Sequence, residues 1–177
     1  MKRTTLLFGA IALFFAGIGI YFGVRHHAPV APESPVVANF FAQQMEDSGG
    51  KMQQLSSFQG KTLIVNFWAT WCAPCVEEMP ELTALQSEVV SQNVQILGIG
   101  IDSPSNIREF AARYKITYPL FMAGVSGTEL SRQFGNQAGG LPFTVLISPK
   151  GDVRKTYLGR LKMDQLRADL QALSAAP

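Results

Sequence analysis

The apolar run Thr62–Trp68 (TLIVNFW) passes through Ala69 and Thr70 straight into Trp71-Cys72-Ala73-Pro74-Cys75, and this junction restricts the fold more than any other segment. The run is rich in branched and aromatic residues, the pattern of a central strand buried on both faces. After Cys75, apolar residues recur at Val76, Met79, Leu82, Leu85 and Val89, a spacing that marks one face of a helix. Pro80 lies inside that helix and is expected to kink it. The two cysteines of the chain therefore sit where a buried strand turns into a helix. A thiolate in the first helical turn faces unpaired amides and the positive end of the helix dipole, which lowers its pKa from about 8.5 toward roughly 3.5 to 7.5. A structural disulfide usually joins distant segments, because closing a long loop removes more unfolded-state entropy. A bridge across two residues constrains little, so the C-x-x-C pair points to redox chemistry.

The remaining pattern alternates strands and helices. Residues 38–55 carry a hairpin signal around Ser48-Gly49-Gly50. Residues 94–101 (VQILGIGI) predict a second buried strand, and 105–114 a helix with Ile107, Phe110 and Tyr114 facing inward. A short strand over 118–122, a helix over 128–134 and a strong strand over 143–147 follow. Pro149-Lys150-Gly151-Asp152 marks a tight turn into a hairpin partner over 153–158. Met163, Leu166, Leu170 and Leu173 then predict a final amphipathic helix. The order implies an α/β domain whose mixed central sheet is covered by helices on both faces.

The N-terminal part reads differently. Residues 6–24 are 19 consecutive uncharged, mainly apolar positions, preceded by Lys2 and Arg3 and followed by Arg25. As a helix they would match a bilayer's hydrocarbon thickness. The run is longer than that of a cleavable signal peptide and lacks a convincing A-x-A site. Residues 1–25 are therefore expected to be an uncleaved transmembrane signal anchor, its basic start held in the cytoplasm and the rest outside. Residues 26–37 contain Pro29, Pro32 and Pro35 and read as an extended Pro-rich linker. This leaves 38–177 for the folded domain, in a compartment where disulfides persist. The net charge of +2 gives no argument for nucleic acid. His26 and His27 are the only histidines, and an adjacent pair beside a membrane segment reads as interfacial decoration rather than a metal site.

Three motifs together resemble one family. V-N-F-W-A-T-W-C-A-P-C at 65–75, E-x-P at 78–80 and G-L-P-F-T-V-L-I at 140–147 are similar to the TlpA/ResA branch of the thioredoxin-like proteins, membrane-anchored thiol-disulfide oxidoreductases of the bacterial envelope. The resemblance runs from about residue 40 to 173. It implies a thioredoxin-like fold with an N-terminal hairpin, and a helix-strand insertion around 102–122. It also implies a redox-active Cys72–Cys75 disulfide, with no further cofactor and no metal.

In that frame Cys72 is the nucleophile that forms a mixed disulfide with substrate, and Cys75, deeper in the helix, resolves it. Cys75 needs a base. The strand aspartate of thioredoxin is replaced here by Asn66, which cannot take the proton. Glu78 lies three residues after Cys75, within reach on a helix, and the resemblance selects it over its neighbours Glu77 and Glu81. Generic X-Pro bonds are mostly trans, but the family pattern implies a cis bond before Pro142, with the Leu141 backbone turned toward the cysteines as a docking edge for an extended substrate segment. Trp71 is expected to offer an apolar contact beside the sulfurs, and Trp68 to be core.

The resemblance further favours a reductant on the periplasmic side of a bacterial inner membrane. A membrane thiol reductase would supply the electrons, and disulfides of exported proteins, such as the haem-binding cysteines of apocytochrome c or a copper-site pair, would receive them. Two alternatives are a dithiol oxidant and a copper metallochaperone using both thiolates as soft ligands. The chaperone has no histidine after His27 to draw on. A peroxidase would need an isolated peroxidatic cysteine, which has no counterpart in this chain.

Overall fold

The structure is a computed structural model and describes residues 34–175. Its centre is β3 (Thr62–Trp68), whose residues are all buried, as the unbroken apolar run requires. β4 (Val94–Gly100) runs parallel beside it, and β5 (Leu120–Met122) runs parallel to β4. β6 (Phe143–Ile147) pairs antiparallel on the other side of β3, and β7 (Val153–Leu158) pairs antiparallel with β6. The order β5-β4-β3-β6-β7 is a mixed sheet. A separate antiparallel hairpin, β1 (Gln44–Glu46) with β2 (Met52–Gln54), turns through Ser48-Gly49-Gly50 as the sequence predicts.

Five α-helices and two short 3-10 helices (Leu55–Phe58 and Val90–Gln92) complete the described residues, the α-helices being α1 (Pro35–Phe41), α2 (Ala73–Val89), α3 (Pro104–Tyr114), α4 (Val125–Gln133) and α5 (Met163–Ser174). The insertion expected around 102–122 is α3 with β5. Side chains alternate across β3, and the alternation sorts the core. Leu63, Val65 and Phe67 join an aromatic-rich cluster with Val37, Phe40 and Phe134, whereas Ile64 and Trp68 join Cys75, Met79, Leu82 and Leu166. Trp68 is core, as expected.

The structure shifts several boundaries. Residues 35–37, read as the end of the linker, are the first turn of α1, and Val37 is fully buried with Phe40 and Phe41. The proline spacing conceals this start, although Pro35 after Ser34 is a favoured first helical position. α4 begins three residues before the predicted 128, and β5 is two residues shorter at its start than predicted. α2 runs unbroken through Pro80. The expected anchor and most of the expected linker lie outside the described residues. Among the described residues no helix is long and apolar enough to cross a membrane.

Candidate active site

Local chain geometry places the cysteines before any side-chain contact does. β3 ends at Trp68, its carbonyl accepts from the Ile101 amide (2.8 Å), and Cys72 becomes the N-cap of α2 with Pro74 in the first turn. Proline is accommodated there because the first helical amides have no intrahelical partner. Cys72 and Cys75 are joined in a disulfide. Cys72 retains 6% exposure at the end of the helix, and Cys75, one turn inside, retains none. The order of access is the one expected for a nucleophile and a resolving thiol. Trp71, 70% exposed, stands at the surface just before Cys72.

The loop leading to Cys72 is tied to the insertion by Asp102. Its Oδ2 accepts from the Thr70 amide (3.2 Å) and hydroxyl, and its Oδ1 from the Ser103 amide (2.7 Å) and the Asn106 side chain (2.8 Å). These hydrogen bonds outweigh partial burial and hold the Asp102 carboxyl below its usual range. Beside this tie a cavity of about 350 Å³ is lined by Thr70, Val76, Asn106, Phe110, Arg113 and Tyr114.

Glu78 does not lie on the solvated face that a charged helix residue ordinarily takes; it is fully buried. Its Oε1 accepts from Asn66 Nδ2 at 2.7 Å and its Oε2 from the Leu161 amide at 2.9 Å. Asn66 Nδ2 also donates to Thr144 Oγ1 (2.9 Å), and Asn66 Oδ1 has no partner. Burial is the largest influence on the carboxyl and pushes it up to about 7, against the lowering effect of the Leu161 and Asn66 donors and of the Arg160 charge. Tyr118 is buried with its hydroxyl unpartnered, and burial together with the Glu78 charge raises its pKa. A Cβ on Gly98 would displace the end of the Leu120 side chain and crowd Trp68 Nε1 and Tyr118, so glycine lets these side chains pack closely there.

The Leu141–Pro142 peptide is cis, as the resemblance implies. Leu141 is half-buried and packs against both core clusters, one of which contains both cysteines. The structure therefore gathers Cys72, Cys75 and Glu78 on one helix and brings the 141–142 turn to the same core. Three participants were not visible in the sequence. Asp102 and Arg160 belong to connections without periodic pattern, and Leu161 contributes only its amide. No cluster of three or more His, Cys, Asp or Glu able to hold a metal occurs among the described residues.

With this geometry in view, the relatives fall into place. The family model described as AhpC/TSA matches residues 36–156. The thiol-disulfide oxidoreductase ResA of Geobacillus kaustophilus is 30% identical over 132 residues, 73% of this chain and 72% of the relative. A thiol:disulfide interchange protein of the thioredoxin family from Chlorobium tepidum superposes with a TM-score of 0.65 at 28% identity, covering 75% of this chain and 93% of that one. Peroxiredoxin Q of Xanthomonas campestris gives 0.64 at 26% identity, covering 77% and 94%.

Proposed function

This chain belongs to the AhpC/TSA family and is a ResA-type thiol-disulfide oxidoreductase, and from that premise we propose that Cys72, Cys75 and Glu78 carry the exchange and that the protein works as a reductant of exported proteins. The observation that carries this reading is a buried carboxyl, poised at about 7, one helical turn behind the buried cysteine of the pair.

In the reduced enzyme the Cys72 thiolate attacks one sulfur of a substrate disulfide. A Cys72–substrate bond forms, the substrate S–S bond breaks, and the first substrate sulfur leaves as thiolate. Cys75, fully buried in the first turn of α2, is the resolving thiol. It transfers its proton to the Glu78 carboxylate and attacks Cys72 Sγ. The second substrate sulfur is released and the Cys72–Cys75 disulfide closes, two electrons having passed to the substrate. A base with a pKa near ambient pH is half ionised at neutrality, which maximises the product of availability and driving force. Trp71, Leu141 and Pro142 would form the contact surface for the substrate segment, with Trp71 supplying exposed apolar area.

The finer reading places residues 1–25 in the bacterial inner membrane with the catalytic domain on the periplasmic side. A membrane thiol reductase recharges the disulfide, and apocytochrome c or copper-site cysteines are the substrates. Its support is the apolar run behind Lys2 and Arg3 and the similarity to ResA proteins. A peroxidase is disfavoured despite the likeness to peroxiredoxin Q, because both cysteines of the chain lie in one C-x-x-C.

The test is the reduction potential of the full chain in detergent, equilibrated with a dithiothreitol couple and read by alkylation of the thiols. A value below the glutathione range of roughly −220 to −260 mV is expected. A value near that of strong envelope oxidants, about −120 mV, would reverse the direction while leaving the exchange chemistry in place.

A further inference from the structure

Three consecutive residues between β7 and α5 reach three different parts of the site. The Gly159 amide donates to the Pro142 carbonyl at 2.8 Å. The Arg160 guanidinium forks, Nη1 to Glu77 Oε2 at 2.8 Å and Nη2 to Glu81 Oε1 at 2.7 Å. The Leu161 amide donates to Glu78 Oε2, and its side chain is 6% exposed in the same cluster as both cysteines. Gly159 has φ +84°, a conformation open to glycine, and this turn lets the next two residues face α2.

Glu77 and Glu81 stand four apart on α2 and flank Glu78. Like charges at this spacing repel, and the planar fork of arginine satisfies both in a way a lysine point charge does not. Both pairs are solvent-exposed, so their contribution to global stability is small. Their consequence is positional, because the residue next to Arg160 supplies the hydrogen bond to Glu78.

We infer that residues 159–161 form a clasp, with Arg160 the positioning residue that fixes the Leu161 amide on Glu78 and shuts the carboxyl off from water. The inference rests on Glu78 being the proton carrier for Cys75. It makes the loop after β7 part of the catalytic apparatus, although Arg160 touches no reacting atom. The groups that act on Glu78 are Arg160 and the Leu161 amide from this loop, Glu81 from its own helix, Asn66 from β3, Thr144 from β6 through Asn66, and Tyr118 from the segment before β5.

Two physical effects of removing Arg160 have opposite signs, which makes the test decisive. Loss of a nearby positive charge alone raises the Glu78 pKa. Opening the clasp hydrates the carboxyl and returns it toward its ordinary value, below 7. The experiment titrates ¹³C-glutamate-labelled, oxidised full-length protein by NMR and follows hydrogen exchange of the Leu161 amide, in wild type, Arg160→Gln and Arg160→Lys. The expected result is a Glu78 midpoint lowered by at least one pH unit in both variants and Leu161 exchange at least tenfold faster, with the fold retained. Lysine keeps the charge and loses the fork, so a wild-type midpoint in Arg160→Lys overturns the clasp. An unchanged or raised midpoint with Leu161 still protected in Arg160→Gln overturns it as well.

If Arg160→Gln fails to fold, Glu77→Gln/Glu81→Gln removes the fork from the other side. Faster Leu161 exchange in that variant supports the clasp, and unchanged exchange overturns it. Neither readout requires turnover. A Glu78→Gln variant with an unaltered pH profile of thiol exchange would sink the catalytic role of Glu78 and leave the clasp measurement standing.

Discussion

The two faces of the central sheet are filled by different chemistry. Against Leu63, Val65 and Phe67 the filling is Phe40, Phe41, Phe121, Phe134 and aliphatic residues, with rings meeting edge-on or tilted at centroid distances such as 5.9 Å for Phe40–Phe134. Against Ile64, Asn66 and Trp68 lie the disulfide, the Glu78 carboxyl and all three buried polar side-chain atoms without a partner among the described residues: Asn66 Oδ1, Trp68 Nε1 and Tyr118 hydroxyl. Residues two apart on β3 share a face, so one strand separates these environments by alternation alone. Burying an unpaired polar group costs free energy. That cost falls on the face that holds the disulfide and Glu78, and the aromatic face offsets it with ordinary packing.

Four substitutions would break or sharpen this contrast. Cys72→Ser on the polar face should abolish thiol exchange, measured by reduction of a model protein disulfide; residual turnover would mean that Cys75 alone can act as nucleophile. Phe40→Ala on the aromatic face should cost about 3–5 kcal/mol in urea unfolding and leave the exchange chemistry of the folded protein unchanged. An altered potential there would show that the two faces are coupled.

Glu78→Gln tests the electrostatic cost on the polar face. The folded carboxyl is raised from 4.5 to about 7, so between these values the native state binds more proton than the unfolded chain. Stability must therefore fall as pH rises through that window, by roughly 3 kcal/mol in total from a shift of this size. The penalty is absent below about pH 4.5 and complete above about pH 7. In Glu78→Gln that component of the pH dependence, measured on oxidised protein between pH 5 and 8, should disappear. Tyr118→Phe, the smallest change, removes an unpartnered hydroxyl and should leave stability equal or higher by about 1 kcal/mol. A clear loss would mean that the hydroxyl has a bound partner such as water.

The same contrast explains what could be read from the sequence. β3 and α2 were legible because an unbroken apolar run and a three-to-four spacing are local signals, and the cysteines sit at their junction. The buried state of Glu78 was not legible from charge pattern, since E-E-M-P-E looks like a solvated helix face; only the family resemblance singled it out. The reason lies 83 residues away, where Leu161 donates its amide. An amide leaves no side-chain signature, and Arg160 beside it sits in a four-residue connection with no period. The start of α1 was obscured for a different reason: Pro35 belongs equally to an extended proline series and to the first turn of a helix, and Val37 decides between them by being buried.

The measurement that bears most directly on the coupling of Glu78 to Cys75 is the pH dependence of mixed-disulfide collapse. A chromogenic thiol is loaded on Cys72, and its release by Cys75 is followed in wild type and Glu78→Gln. The expected wild-type rate rises through an inflection near pH 7, as the carboxylate becomes available to take the proton, and then levels until the thiol itself ionises. In Glu78→Gln that inflection should be missing and the rate at neutral pH at least tenfold lower. Superimposable profiles for the two proteins would contradict the assignment, leaving Cys75 to lose its proton by some route in which the buried carboxyl takes no part.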